Sequence, residues 1–251
     1  GLSGCADKEK IMADYTEIFA SEPETDEEFQ EMLGNAEAYI DANIAKVDAE
    51  DADYMLYLYT NTARMIVEEE DEKLEGLLER YGNRLTDMMR TFMELELEEI
   101  QDPVSAMPSE KGSDGSSGEE MFFREAMERA LKVEALVREN RETISSKTYE
   151  YLKPTVTWQY EYYINYMLLG TADAPVFGTE DHLFKETAKA IYTELAQAEP
   201  DTTTAWAVNE YFNYLESVDF RLDYKQDADA AKVYYDTCSY IVDKAGKLLY
   251  E

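Results

Sequence analysis

The chain has a single histidine, His182, and this limits the catalytic chemistry that its side chains could perform. His182 follows Thr179-Glu180-Asp181, a run that predicts the first turn of a helix over about 179–198. A metalloprotease His-Glu-x-x-His site or a pair of Glu-x-x-His di-iron motifs needs at least two histidines. The sequence also lacks the Gly-x-Ser-x-Gly, phosphate-loop and Gly-x-Gly-x-x-Gly motifs. We therefore expect a surface histidine, name no catalytic residue and favour a protein that is not an enzyme.

The abundant carboxylates suggest chemistry that carboxylate oxygens can perform without a histidine or a cysteine. The chain has 56 acidic residues, with clusters at 48–53, 68–71 and 96–99. Two carboxylates brought together could perform glycosidic acid–base catalysis or bind a hard cation. The run 48–53 lacks the glycine and the terminal glutamate of an EF-hand loop, so the sequence predicts a solvated acidic face there. We expect no metal site and no cofactor, and a carboxylate-only hydrolase is the weakest functional alternative.

Aromatic residues are concentrated in one predicted helix of the second half. The ligand-binding candidates are Trp158, Tyr160, Tyr162, Tyr163 and Tyr166 of this helix, with Trp206 of a later helix as a further part of the same wall. At 100° per residue, the first five rings cover more than half of the helix circumference. That distribution fits a central buried helix whose tyrosine hydroxyls reach polar partners. It also fits an aromatic-lined groove for a sugar, a peptide or a partner protein, and this second interpretation predicts a binding site.

The two cysteines, Cys5 and Cys238, have different expected roles. Cys238 falls on an apolar helical seam and is expected to be a small core residue. Cys5 ends the run Leu2-Ser3-Gly4-Cys5, which resembles the lipobox of bacterial lipoproteins: an aliphatic residue, two small residues and the cysteine that becomes lipid-modified. The resemblance covers four residues and no part of the helical body. It implies a lipid anchor on Cys5, a bacterial membrane as partner and an extracytoplasmic location.

The charge of the chain excludes one large class of partners. Its 23 basic residues leave a net charge of −33, which repels the phosphates of nucleic acids and provides no basic surface to contact them. The imbalance is greatest in the first 120 residues, which carry 33 of the acidic and 9 of the basic residues. We therefore expect no nucleic-acid partner.

Nearly every segment has apolar residues at helical spacing, so the sequence predicts an all-α protein of about nine helices. The most regular seam runs through Leu74, Leu78, Tyr81, Leu85, Met88, Phe92 and Leu95 and predicts one helix over about 71–100. Pro154 and Gly170 predict the beginning and end of the aromatic-rich helix. Short connections favour antiparallel helical bundles, with an α-solenoid of helix pairs as the alternative.

Composition divides the predicted helices into two domains. Residues 1–6 are the lipobox remnant and tether, and residues 7–100 are an acidic helical bundle. Residues 101–118 concentrate Pro, Gly and Ser without periodicity and predict a flexible linker. Residues 119–251 form an aromatic-rich helical bundle. This organisation predicts a membrane-anchored lipoprotein that binds an unknown protein, peptide or sugar through its second half. The alternative is a structural or assembly role at the cell envelope without a ligand pocket.

Overall fold

The computed structural model describes residues 2–64, 70–109 and 118–251, and the helices in these ranges confirm the all-α prediction. The chain divides into two compact units, Gly1–Gln101 and Asp102–Glu251. The helices of the first unit are α1 (Leu2–Ile18), α2 (Asp26–Asn43), α3 (Ala49–Ala63), α4 (Glu70–Tyr81) and α5 (Asp87–Gln101). Those of the second are α6 (Gly118–Glu139), α7 (Arg141–Ile144), α8 (Lys153–Leu169), α9 (Glu186–Ala198), α10 (Thr203–Ser217) and α11 (Ala228–Leu248).

The described ranges contain eleven α-helices rather than about nine, because two predicted helices are each divided. Residues 119–143, whose apolar spacing predicts one helix, form α6 and α7. The predicted helix over 71–100 ends at Tyr81, passes through a 3₁₀ turn at Gly82–Arg84 and begins again after Thr86. The Thr86 hydroxyl accepts a hydrogen bond from the backbone N–H of Met89 at 3.2 Å, which makes Thr86 the N-cap of α5.

A buried carboxylate holds this second helix start in place. Asp53 of α3 has no exposed surface, and its two oxygens accept hydrogen bonds from the Thr86 backbone N–H at 3.0 Å and from the Thr86 hydroxyl at 2.6 Å. The acidic cluster 48–53 is therefore not the uniform solvated face that its composition predicts. Part of cluster 68–71 lies outside the described residues.

The helices α3 and α5 run in the same direction. Asp53 meets Thr86 near the start of both helices, and Arg64 at the end of α3 pairs with the buried Glu96 late in α5. Helix α2 packs against α3, and helix α4 packs against α5. Arg80 of α4 forms an ion pair with Glu37 of α2 at 3.1 Å. Each helix pair also has the same connection, a three-residue 3₁₀ turn followed by an extended residue and an N-cap position.

The structure differs from the expected tether and linker. Residues 2–6 belong to α1, so the predicted tether is continuous with the first helix. Within the predicted linker 101–118, residues Val104–Ser109 form a 3₁₀ segment that packs against α6, and Val104 and Met107 are buried. Residues 110–117 of the predicted linker lie outside the described residues.

In the second unit, α6 packs against α8, α9 and α10, and α8 and α10 also pack against α11. A buried carboxylate on α6 fixes the start of α10. Glu134 is 1% exposed and accepts hydrogen bonds from the backbone N–H groups of Thr203 at 2.7 Å and Thr204 at 2.8 Å. The Thr204 hydroxyl donates a third at 2.7 Å, and Arg138 pairs with the same carboxylate at 3.1 Å.

We predict that Glu134→Gln lowers the free energy of unfolding of this unit by about 2–4 kcal/mol. The variant removes the charge that matches the Arg138 guanidinium and the N-terminal N–H groups of α10, and charge-assisted bonds in a buried site are the strong ones. Urea unfolding measures the change. The control is Glu139→Gln, an exposed acid at the end of the same helix, which should change stability by less than about 0.5 kcal/mol. Equal effects of the two substitutions would refute a special role for Glu134.

Candidate functional site

The structure separates the five aromatic candidates of α8 into two groups. Tyr160 and Tyr163 are buried in the core, and the Tyr160 hydroxyl forms a hydrogen bond with the Thr204 hydroxyl at 2.8 Å. Burial raises the pKa of Tyr160 well above its ordinary value, so this hydroxyl keeps its proton. These two residues fit the interpretation of a helix buried on most sides, and their rings are not accessible to a ligand.

The other three rings form a stripe along the outer face of α8. Trp158, Tyr162 and Tyr166 follow one another at intervals of four residues, which places them on one side of the helix. The ring centroids of Trp158 and Tyr162 are 5.2 Å apart, and those of Tyr162 and Tyr166 are 4.8 Å apart. Trp158 is 57% exposed. Tyr162 and Tyr166 are half-buried, and the four cavities seen among the described residues have other linings.

Trp206 does not share a wall with this stripe. It lies on α10, and its ring faces the Lys244 ammonium of α11 at 5.4 Å. Helix α8 contacts α10 through Tyr160 and Thr204. On an α-helix Tyr160 points about 200° away from Trp158, so the side of α8 that faces α10 is opposite the stripe.

The second unit contains a different aromatic concavity, which we call the loop cavity. It has a volume of about 500 Å³ and lies between the connection from α8 to α9, the connection from α10 to α11, and α11 itself. Its lining consists of Leu169, Gly170, Thr171, Ala172, Pro175, Val176, Phe177, Thr179, Tyr224, Lys225, Tyr234 and Tyr235. The volume and the mixture of rings with a few polar groups are typical of a small-molecule site.

Backbone hydrogen bonds tie the two connections together. The Phe184 N–H donates to the Phe220 carbonyl at 2.7 Å, and the Leu222 N–H donates to the His182 carbonyl at 2.9 Å. The segment predicted as the first turns of a helix, 179–185, is therefore bridged to a second loop, and α9 begins only at Glu186. His182 lies in this loop rather than in a helix, half-buried, with Nε2 3.3 Å from Asp223 Oδ2.

Three non-glycine residues of these connections have left-handed backbones. The φ angles are 58° at His182, 54° at Asp219 and 55° at Phe220. Such a conformation is unfavourable for a bulky residue, and it persists only where surrounding contacts determine it. For Phe220 these contacts are two hydrogen bonds. Its N–H donates to the Leu215 carbonyl at 2.7 Å, and its carbonyl accepts from the Phe184 N–H. The loops around the cavity are thus held in one shape.

The floor of the loop cavity is built on the end of α8. The last carbonyls of a helix have no partner within it. Here the Leu168 carbonyl accepts hydrogen bonds from the hydroxyls of Tyr211, at 2.8 Å, and Tyr234, and the Met167 carbonyl accepts one from Tyr192 at 2.8 Å. Burial raises the pKa of all three tyrosines well above the ordinary value, so their hydroxyls remain donors.

Ring-to-ring contacts extend this floor into a wall. The Tyr234 ring contacts Phe177 at a centroid distance of 5.4 Å and Tyr235 at 5.6 Å, both edge to face. Tyr234 is almost completely buried, whereas Tyr235 is 48% exposed and Tyr224 is 42% exposed. The wall therefore passes from the core to two tyrosines that border the cavity and remain accessible.

The sequence did not identify these lining residues. Tyr224, Tyr234 and Tyr235 lie far along the chain from Phe177, and the fold brings the Tyr234 and Phe177 rings to a centroid distance of 5.4 Å. A local signal was present, because Gly170, Pro175 and Gly178 fall within nine residues and such punctuation is typical of a loop.

A second, more polar cleft lies between α8 and α11. It has a volume of about 420 Å³ and is lined by Lys153, Thr157, Glu161, Asp243, Gly246, Lys247 and Tyr250. Burial, followed by the charge of Asp243, raises the pKa of Glu161. This pair of carboxylates could share a proton or a cation. Across the described residues, no group of three or more His, Cys, Asp and Glu side chains is arranged to hold a metal ion.

The two cysteines differ in exposure. Cys5 is exposed in the first turns of α1, whereas Cys238 is buried in α11. Burial raises the pKa of the Cys238 thiol to about 12. In the part of the chain that the structure covers, no helix has the length and apolar composition of a membrane span.

Comparisons of the chain with protein-family models, with curated proteins and with solved structures found no match. The function must therefore be argued from the site itself.

We predict that Gly170→Ala distorts the loop cavity and lowers the melting temperature. Gly170 has φ 66° and ψ −161°, a region that is essentially restricted to glycine. An added Cβ would also lie 2.5 Å from the Ala174 carbonyl oxygen and 3.1 Å from the Val176 nitrogen, both of them backbone atoms. The combined cost should exceed about 2 kcal/mol, measured by thermal or urea unfolding.

Gly34→Ala provides a control with the opposite sign. Gly34 is exposed inside α2, and an added Cβ would meet nothing within 4 Å. Alanine should stabilise this helix by about 0.5–1 kcal/mol. A neutral or stabilising effect of Gly170→Ala would show that the loop tolerates another conformation.

Proposed function

We propose that the protein is a membrane-anchored, extracytoplasmic lipoprotein that binds a small ligand in the loop cavity of its second unit. The observation that supports binding is the cavity itself: a concavity of about 500 Å³ with Phe177, Tyr224, Tyr234 and Tyr235 in its lining. The tyrosines behind its wall donate hydrogen bonds to the end of α8, and backbone hydrogen bonds connect its two loops. A preformed site of this kind loses little conformational freedom when a ligand binds.

The loop cavity is a better ligand site than the other aromatic surfaces. In the stripe Trp158 is exposed, whereas Tyr162 and Tyr166 are half-buried. The Trp206 ring faces the Lys244 ammonium. The polar cleft between α8 and α11 holds the carboxylates on which a hydrolase would depend, but it has no aromatic wall apart from Tyr250. Trp158, Tyr162 and Tyr166 thus remain candidates for contact with a partner, whereas the ligand site that we propose is the loop cavity.

The scaffold that we propose differs between the units. The parallel arrangement of α3 and α5, and the contact of Arg80 with Glu37, favour two stacked helix pairs in the first unit, as in an α-solenoid. In the second unit, helices around α6 and α8 favour a bundle. An acidic helical scaffold without any ligand would fit a structural role at the cell envelope, and the binding experiment separates that alternative from ours.

We predict that the fluorescent probe 8-anilinonaphthalene-1-sulfonate binds the folded protein saturably in the loop cavity. The probe becomes fluorescent in contact with accessible apolar surface. Tyr235→Ala removes a half-exposed wall of the cavity and should weaken probe binding at least about tenfold, measured by fluorescence titration.

Tyr240→Ala is the matched control for this experiment. Tyr240 lies on the same helix as Tyr235 and is 53% exposed, but it does not line the cavity. Its replacement should leave the affinity for the probe unchanged. Equal losses for the two variants, or no saturable binding to the folded protein, would favour the structural role.

We predict that Cys5 carries the lipid. In protein isolated from its bacterial membrane, a thiol reagent should find no free thiol in the folded state, because Cys5 is acylated and Cys238 is buried with a raised pKa. Denaturation should expose one thiol. In the host, Cys5→Ala should move the protein from the detergent phase to the aqueous phase, since several acyl chains are what hold such a protein on the membrane. A free Cys5 thiol in the folded native protein would refute the anchor.

A further inference from the structure

We infer that the ligand of the loop cavity is a ring-bearing small molecule with a negative charge, recognised by Lys225. The inference rests on the proposed binding function, because it names the chemical class of ligand for the same cavity. The charge of the lining, the orientation of the neighbouring acids and the position of the exposed rings support it.

The charge of the cavity lining is opposite to that of the chain. Acidic residues outnumber basic ones by 56 to 23 over the whole sequence. Yet among the described residues that line the loop cavity, Lys225 is the charged one and no carboxylate is present. A ligand with a cationic group would meet an ammonium and no counter-charge. A ligand with an anionic group would meet its complement.

Three acids of the turns around the cavity are directed at the loop backbone. Asp181 accepts a hydrogen bond from the Leu183 N–H at 3.1 Å, and Asp227 accepts one from the Ala230 N–H at 3.0 Å as the N-cap of α11. Asp223 accepts from the Lys225 N–H at 3.3 Å with one oxygen, and its other oxygen lies 3.3 Å from His182. These carboxylates therefore stabilise the turns that shape the cavity.

The Lys225 ammonium is available to a ligand. No carboxylate of the described residues lies within ion-pairing distance of it, and its side chain is exposed at the cavity border. The next lysine, Lys232 on α11, is different because it pairs with Asp236 at 2.7 Å. Lys225 and Lys232 are thus both exposed lysines near the loop cavity. Lys225 lines the cavity, whereas Lys232 forms an ion pair on α11.

The exposed rings of the cavity lining indicate that the uncharged part of the ligand is a ring. Tyr224 adjoins Lys225 in sequence, and Tyr224 and Tyr235 are both partly exposed in the lining. The hydroxyl of Tyr234 is already used on the Leu168 carbonyl and its ring packs against Phe177, so the interior offers mainly apolar surface. A planar or saturated ring against these tyrosines, with its anionic group at the border near Lys225, satisfies both parts of the site.

The net charge of the chain does not prevent such binding. At 0.1 M salt the Debye length is about 10 Å, so exposed acids farther away are largely screened, whereas a direct contact with Lys225 is affected less. The excess of acid should slow the approach of an anion more than it weakens the bound state. The preference for an anion should therefore be visible at moderate ionic strength.

Three probes with the same ring and different charges test the inference: naphthalene-2-carboxylate, the neutral naphthalene-2-carboxamide and naphthalene-2-methylammonium. Equilibrium dialysis against the whole folded protein, with detection by ultraviolet absorbance, gives each dissociation constant. We expect the carboxylate to bind about five- to tenfold more tightly than the amide, and the ammonium to bind least tightly.

Lys225→Gln should bring the carboxylate and the amide to the same affinity. The matched control is Lys232→Gln, which should preserve the preference for the carboxylate. If none of the three probes binds wild-type protein, the proposed binding function itself fails. If the amide binds and the carboxylate binds no better, or if Lys225→Gln keeps the preference, the cavity binds ligands but the assigned charge is wrong.

Discussion

Both units depend on the same interaction, a buried carboxylate that caps the start of a neighbouring helix. Asp53 and Glu134 are buried, and an unpaired buried charge is strongly unfavourable. The first N–H groups of a helix are free donors at the positive end of its dipole, so they are a suitable partner for such an acid. Asp53 uses this partner at Thr86, and Glu134 uses it at Thr203 and Thr204.

In the second unit this cap positions the helix that supports the candidate site. Glu134 fixes the beginning of α10 against α6, and two turns later Tyr211 of α10 reaches the Leu168 carbonyl at the end of α8. Tyr234 of α11 reaches the same carbonyl. Three helices therefore converge on one backbone oxygen, and the loop cavity lies between the connection that follows α8 and the connection between α10 and α11. The site is thus a consequence of how the helix ends are satisfied.

The sequence predicted the helices better than their ends. Thr25, with Glu28 three residues later, has the pattern of a capping box, and its hydroxyl does accept from the Glu28 N–H at 3.2 Å. Gly170, predicted as the end of the aromatic-rich helix, does end α8. The break after Tyr81 was missed because the apolar seam continues through it: α4 and α5 present their apolar sides to each other. Residues 179–185 resembled a helix start since Thr, Glu and Asp favour one, but bonds to a loop 40 residues away decide their conformation. The cavity was not predictable for the same reason.

Tyrosine has a structural role in the second unit that is complementary to that of the buried acids. Carboxylates satisfy the N–H groups at the starts of helices, whereas the tyrosine hydroxyls of Tyr192, Tyr211 and Tyr234 satisfy the carbonyls at the end of α8. A phenol suits that position because its ring adds apolar area to the core while its hydroxyl donates to a buried oxygen. Burial raises the pKa of these phenols, which preserves the donor. Several tyrosines of this half therefore satisfy the carbonyls at a helix end. The tyrosines available to a ligand, such as Tyr224 and Tyr235, are those without this structural role.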